Sequence, residues 1–332
     1  MLNPQDPLAP LDRLAAEALS LWSETKDGRL TRINVSENVT YRVDQPDARY
    51  ILRLHRQGYH SRRAVTCELA WAAALRAEAH VATPAALAGR DGELIQQVSV
   101  AGEAEPRMLV LFTHIDGIHP DESANLTPRF LDLGRIAAQT HLHSIAWTRP
   151  APFERLTWDL SSVFGPAPIW GHWRDGPNVT TQIHQVLGRV EQVVTRRLSA
   201  FGRAPDRFGL IHSDMRLANL LISPDGIHVL DFDDCGFGWF LYDFAAGISF
   251  IEDHPQIPAL KAAWVEGYRS QRPLPDEDVA EIDTLIMLRR LALLGWIGSH
   301  IEAPEPQALA HDFARVSAEL GEGYLMRMDG PR

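Results

Sequence analysis

At 332 residues, 45% hydrophobic and 23% charged, the chain has the size and balance of a globular protein with room for two lobes. Its net charge of -11 argues against a nucleic-acid partner, which needs a basic face, and against docking on an anionic membrane surface. Cys67 and Cys235 are too few for a disulfide framework and sit at no metal-ligand spacing.

The N-terminus, Met1-Leu-Asn-Pro-Gln-Asp-Pro7, lacks a basic n-region and an apolar h-region, and no window reaches the ~18 apolar residues of a membrane span. The expected location is cytoplasmic. Leu11 to Trp22 carries apolar residues at a helical period. Leu30–Val35 and Asn38–Val43 read as strands joined by Ser36-Glu37, with Val39, Tyr41 and Val43 facing one way. Tyr50–His55 makes a third strand, followed by a helix from about Arg62 to Ala79. Leu87–Val98 reads as a hairpin around Gly89-Arg-Asp-Gly92, and Arg107–Phe112 is a further strand. These residues make a compact α+β lobe.

From Asp116-Gly117 onward the pattern is mostly helical. Thr127 is the expected N-cap of a helix, with Pro128 at its first position. Residues 150–177 read as a loop-rich insert holding Trp158, Trp170 and Trp173, aromatics that either pack or recognise a cationic or planar substrate. A helix from about Asn178 to Phe201 follows, and Phe240 to Met328 reads as several helices separated by prolines. His141 and His143, two apart on a helix, point to different faces and are expected to be structural.

The chemistry concentrates in Leu210-Ile-His-Ser-Asp-Met-Arg-Leu-Ala-Asn-Leu-Leu-Ile222 and His228-Val-Leu-Asp-Phe-Asp-Asp234, with the turn Ser223-Pro-Asp-Gly226 between them. Folded as one hairpin, these runs bring Asp214, Asn219 and Asp231 to one end. Two carboxylates and an amide there suit a hard cation such as Mg²⁺, with one carboxylate spare as a base. That combination is the signature of phosphoryl transfer, in which a hydroxyl must lose a proton and nucleotide phosphates need a metal to spread their charge.

On His212, Asp214, Asn219 and Leu230-Asp-Phe-Asp-Asp234, and on Asn34–Val43 upstream, the chain resembles the aminoglycoside phosphotransferase and choline kinase superfamily. It is most similar to the branch holding type II homoserine-kinase-like proteins, hydroxylysine kinase and stress-response kinase A. The resemblance implies a bilobal protein-kinase-like α+β fold. A nucleotide-binding lobe would span residues 1–115 and a catalytic, substrate-binding helical lobe residues 116–332, with the nucleotide between them. It implies ATP and Mg²⁺ as cofactors, Asp214 as base or orienting carboxylate, and Asn219 and Asp231 as metal ligands. His212 and Asp243 would brace the loop.

The resemblance also implies a nucleotide site in the first lobe. Arg53 stands where a lysine is usual, with Glu68 its carboxylate partner on the next helix and Glu78 the second choice. Ile51 would cover the adenine, and Thr113 and Ile115 would present backbone groups to its edge. The turn over the phosphates has no glycine, so Ser36 and Asn38 side chains take that role. Asp234, Trp170 and Trp173 are the candidates for acceptor binding.

The expected function is phosphorylation of a hydroxyl on a small molecule of the amino acid or amino alcohol class. Two rivals are a Ser/Thr protein kinase and a catalytically silent nucleotide-binding module. The short segment between Asp231 and Asp243 leaves little room for a peptide-docking loop, and the intact Asp214, Asn219 and Asp231 set argues for catalysis.

Overall fold

The structure, a computed structural model, describes residues 8–35, 38–100 and 102–328, and Ser36 therefore lies outside the described residues. The chain divides into two compact units. One comprises Met1–Ala74, Thr83–Gly117 and Arg149–Glu154, and the other Leu75–Ala82, Ile118–Thr148 and Arg155–Arg332.

The first unit is built on an antiparallel sheet of β1 (Arg29–Val35), β2 (Val39–Asp44), β3 (Arg49–Leu54), β4 (Ala86–Leu87), β5 (Ile95–Val98) and β6 (Arg107–Thr113). Helix α1 (Ala9–Ala18) covers one face of it. The alternation read from β2 is real: Val39, Tyr41 and Val43 are buried and pack with Leu52, Leu54, Leu109 and Leu111 against Leu14, Ala15 and Trp22. Val65 and Leu69 of α2 (Arg62–Glu78) pack with Ile95 and Val110 in a second cluster. Each fully buried Leu or Val contributes roughly 1.5–3 kcal/mol, so this two-sided burial is what keeps the sheet in register.

The expected hairpin at 87–98 is corrected. β4 and β5 do not pair with each other; both pair with β6, opposite Leu111–Phe112 and Arg107–Val110. The turn glycines only redirect the chain, because β6 offers a longer apolar edge than either short strand offers the other.

The second unit is mostly helical. It contains α3 (Thr127–Ala146), α4 (Leu160–Phe164), α5 (Thr181–Phe201), α6 (Tyr242–Gly247), α7 (Ile257–Arg269), α8 (Asp276–Val279), α9 (Ile282–Ser299), α10 (Pro304–Leu309) and α11 (Phe313–Met328). Helix α3 starts one residue earlier than read: Leu126 is its N-cap, and Asn125 rather than Thr127 supplies the capping oxygen, to the Thr127 amide at 3.1 Å. Helix α5 starts at Thr181, because the Thr180 hydroxyl accepts the Ile183 amide, a cap worth about 1 kcal/mol. Helix α9 is apolar nearly all round and buried along most of its length, the pattern of a central helix. Helices α3 and α7 touch backbone to backbone. A Cβ on Gly134 would lie 2.1 Å from the Trp264 carbonyl oxygen, and one on Gly267 1.9 Å from that of Leu131.

Two small sheets complete this unit. Strand β11 (Gly236–Trp239) pairs antiparallel with β8 (Phe208–Ile211) and parallel with β7 (Leu156–Trp158), while β9 (Leu220–Ser223) and β10 (Gly226–Val229) form a hairpin across the predicted turn. The single hairpin arm expected from Leu210 to Ile222 is therefore two strands of different sheets, and the loop-rich insert hides the strand β7. No helix among the described residues is long and apolar enough to cross a membrane.

Candidate active site

The segment His212–Arg216 leaves β8, enters a 3-10 turn at Leu217–Asn219 and continues into β9. Ser213 sits at φ 64, a left-handed conformation that costs a non-glycine residue roughly 1–2 kcal/mol. Asp243, at the start of α6, holds it there: its two carboxylate oxygens accept the Ser213 amide at 2.7 Å and the His212 amide at 3.2 Å. The bracing role expected of Asp243 thus has its geometry.

Behind Asp243 stands a buried relay. Its Oδ2 accepts His141 Nε2–H at 3.0 Å, His141 Nδ1 accepts the Tyr268 hydroxyl at 3.0 Å, and the Tyr268 oxygen accepts Arg272 at 2.7 Å. Burial pushes His141 below its ordinary value, more than Asp243 raises it, so the ring is neutral and both nitrogens are used. Burial likewise pushes Tyr268 up to about 12 against the opposing charge of Arg272. His143 turns elsewhere, to Glu78 at 3.2 Å. Both histidines are structural, and Glu78 has a partner other than Arg53.

His212 ties this loop to the next. Its Nε2–H donates to the Leu230 carbonyl at 2.9 Å and its Nδ1 accepts the Asp214 amide at 3.2 Å. Ser213 Oγ donates to the Asp234 carbonyl at 2.5 Å, and the Leu230 amide donates to the Asn219 carbonyl at 2.8 Å. These bonds put Asn219 and Asp231 at the open end of the β9–β10 hairpin, as expected, while Asp214 comes in from the loop after β8, which belongs to the other sheet. Asp231 itself is exposed, at φ 55.

Asp214 is held from both sides. Asn219 Nδ2 donates to its Oδ2 at 2.7 Å and to its backbone carbonyl at 2.9 Å. Arg289 Nη2 donates to Oδ1 at 2.5 Å. Arg216 approaches Oδ2 at 3.6 Å and is itself paired with Glu305 at 2.6 Å. Burial works against the charge on Arg216, but Asp214 and Glu305 outweigh it and keep the guanidinium protonated.

The donor chemistry fits a hard cation. Both Asn219 amide hydrogens go to Asp214, which leaves its Oδ1 as an acceptor, and Asp231 adds an exposed carboxylate. No group of three or more His, Cys, Asp or Glu that could hold a metal occurs among the described residues. Mg²⁺ does not require one, because it keeps waters and takes phosphate oxygens alongside one or two protein ligands.

In the first unit, Arg53 and Glu68 pair at 2.7 Å, both buried. Arg53 Nε also donates to His55 Nε2 at 3.3 Å, and the guanidinium lies 5.1 Å from the centre of the Phe112 ring, whose strand neighbour is Ile51. Glu68 Oε2 is buried without a hydrogen-bond partner among the described residues. Asn38 Oδ1 accepts the Arg56 amide at 3.2 Å, a tie to the end of β3. Thr113 Oγ1 accepts the Ala85 amide at 3.0 Å, and Ile115 is half-buried in the segment that follows β6.

The aromatic candidates separate. Trp173 is buried, donates to Glu191 at 2.6 Å and lies under Arg174 at 4.4 Å, which marks it as packing. Trp170 packs on Trp158, with ring centres 4.6 Å apart, and lies under Arg289 at 4.9 Å. Asp234 uses its backbone carbonyl for Ser213 and Trp158, and its charge acts on Arg289 and Tyr242. Sequence reading missed Arg289, Arg216 and Glu305. The signal for the first was Arg289-Arg290 inside an otherwise apolar helix, since buried charges need partners.

Residues 29–279 match the phosphotransferase enzyme family, and the chain belongs to it. It is a kinase with the α+β architecture of the kinase-like phosphotransferases. The structure of a microcompartment-associated aminopropanol kinase matches with a TM-score of 0.88 at 42% identity, covering 96% of this chain and 99% of that one. Amicoumacin kinase of Bacillus subtilis (strain 168) is 25% identical over 297 residues, 86% of this chain and 84% of the relative. An amicoumacin kinase in complex with AMP-PNP, Ca²⁺ and Ami shares the fold, with a TM-score of 0.74 at 18% identity over 95% of this chain and 93% of that one.

Proposed function

We propose that the chain is an ATP-dependent kinase that phosphorylates the hydroxyl of a small amino alcohol. The observation that carries this reading is the Asp214 carboxylate, gripped by Asn219 on one oxygen and Arg289 on the other. Likeness to the aminopropanol kinase over nearly the whole of both chains supports the acceptor class.

In this reading Asp214 orients the acceptor hydroxyl and takes its proton as the oxygen attacks the γ-phosphorus of ATP, the bond from that phosphorus to the bridging oxygen breaks, and ADP leaves with the electron pair. Asn219 Oδ1 and Asp231 would hold Mg²⁺, which would supply positive charge to neutralise the nucleotide phosphates. Arg53 binds phosphate, and its ion pair with Glu68 fixes the direction of the guanidinium. Asn38, Ile51, Thr113 and Ile115 complete the nucleotide contacts, and Asp234 faces the acceptor's ammonium. Trp170 shapes the same region by packing, and Trp173 stays with the fold. The reading places the chain in the cytoplasm, where ATP and Mg²⁺ are supplied.

The test is phosphorus NMR on purified protein with Mg-ATP and a panel of 1-amino-2-propanol, ethanolamine, choline, serine, homoserine and an aminoglycoside. A new phosphomonoester signal with an amino alcohol is expected. Transfer only to the aminoglycoside or to a protein would overturn the acceptor class, and no transfer to any acceptor would overturn the reading.

A further inference from the structure

Arg289 carries an inference that deepens the proposed reading and rests on it. The side chain is buried, and all three guanidinium nitrogens are engaged. Nη2 donates to Asp214 Oδ1 at 2.5 Å, Nη1 to the Ser213 carbonyl at 3.2 Å, and Nε to Ser249 Oγ at 3.1 Å. Its Cζ lies 4.9 Å from the Trp170 ring centre and 5.8 Å from that of Tyr242. Few surface ion pairs are organised in this way; here a rigid fork is seated by a serine and two rings and aimed at one carboxylate oxygen.

An aspartate carboxylate turns about its last torsion unless both oxygens are held. Asn219 holds Oδ2, and Arg289 is the buried donor on Oδ1. We propose that Arg289 is a positioning residue for phosphoryl transfer, fixing the rotation of the Asp214 carboxylate, and that Trp170 and Tyr242 are the cradle of Arg289 rather than a cage for the acceptor's ammonium. A guanidinium already covers those rings, so a quaternary ammonium gains no aromatic contact there. The acceptor's charge is then met by carboxylate, which favours a primary over a trimethylated amine.

The test compares Arg289→Met, Arg289→Lys, Ser249→Ala and Asp214→Asn, alone and as Asp214→Asn/Arg289→Met, by single-turnover transfer of labelled phosphate to the amino alcohol. Arg289→Met is expected to lower the transfer rate about a hundredfold, the scale of a carboxylate misplaced by an ångström, with KM for ATP within about twofold. Arg289→Lys recovers little, because an ammonium cannot make the same fork. In the Asp214→Asn background Arg289→Met has no further effect. Ser249→Ala, which leaves the arginine in place and loosens its seat, lowers the rate by a few-fold and keeps the inference testable should Arg289→Met fail to fold. Independent, multiplying losses in the double variant, or a Ser249→Ala effect on KM alone, would overturn it. Efficient use of choline, lost in Trp170→Leu, would overturn the cradle. If no amino alcohol is phosphorylated, the acceptor reading fails by itself, and the same variants are compared on slow transfer to water, where the hundredfold loss is again the expected result and its absence the refutation.

Discussion

Arg289 and Arg290 are consecutive on α9, both buried and both paired with a carboxylate, yet they serve opposite ends. Arg289 reaches the loop after β8 through Asp214. Arg290 reaches Glu252, Ser317 at 2.9 Å and the face of Phe313, knitting α9 to α11 and to the chain after α6. The Glu252 side chain is wholly buried, and burial raises its pKa further than Arg290 lowers it. Asp214 keeps some access to solvent, with 15% of its side chain exposed, which the proposed contact with an acceptor requires. A single residue step along the helix thus separates the pair proposed to position chemistry from a pair that positions chain.

Substitutions should pull the two apart. Asp214→Asn is expected to reduce turnover about a thousandfold, the weight of a lost general base, while the thermal midpoint moves far less than in the Glu252 variant below. Glu252→Ala should do the reverse. Stranding Arg290 in the interior costs about 3–5 kcal/mol in denaturant unfolding, with turnover per folded molecule nearly unchanged. Replacing both members, as Glu252→Leu with Arg290→Met, should restore most of that stability; a loss as large as in the single variant would show that the pair does more than pack.

Arg53 offers a milder contrast. It bonds one Glu68 oxygen and His55, so Arg53→Lys keeps a charge beside Glu68 and should raise KM for ATP by about threefold, measured by steady-state assay, where Arg289→Lys is severe. The smallest effect is expected from pH. His141 in the native protein refuses a proton that the unfolded chain accepts near 6.5, so its contribution to stability is present above that value and lost as pH falls below it. Unfolding free energies from pH 8 to 5.5 should show this component, at most about 1.4 kcal/mol per pH unit, and His141→Asn should flatten the slope.

What was legible beforehand follows from how chemistry is written along a chain. Asp214 and Asn219 are close in sequence because one loop carries both, Asp231 follows the residue that bonds Asn219, and the four long strands of the first unit announce themselves by period. The strand β7 was not legible, since three residues in a polar insert carry no period and its partner β11 lies far downstream. Nor was the grip of Arg289, because a contact across so much sequence leaves no spacing to read, only the oddity of two charges in an apolar helix. The Leu210–Ile222 hairpin arm misled for a related reason: an apolar run on each side of a loop looks the same whether the strands join one sheet or two.

The glycines at 134 and 267 bear on all of this. Because α3 and α7 meet there without side chains between them, the gap between the helices is set by backbone atoms alone. His141 belongs to one of these helices and Tyr268 to the other, one residue beyond Gly267. The glycines therefore act as a gauge block. A single methyl group at Gly134 would pry the helices apart, stretch the link from Tyr268 through His141 to Asp243, and slacken Ser213 without touching any residue of the loop from His212 to Asn219.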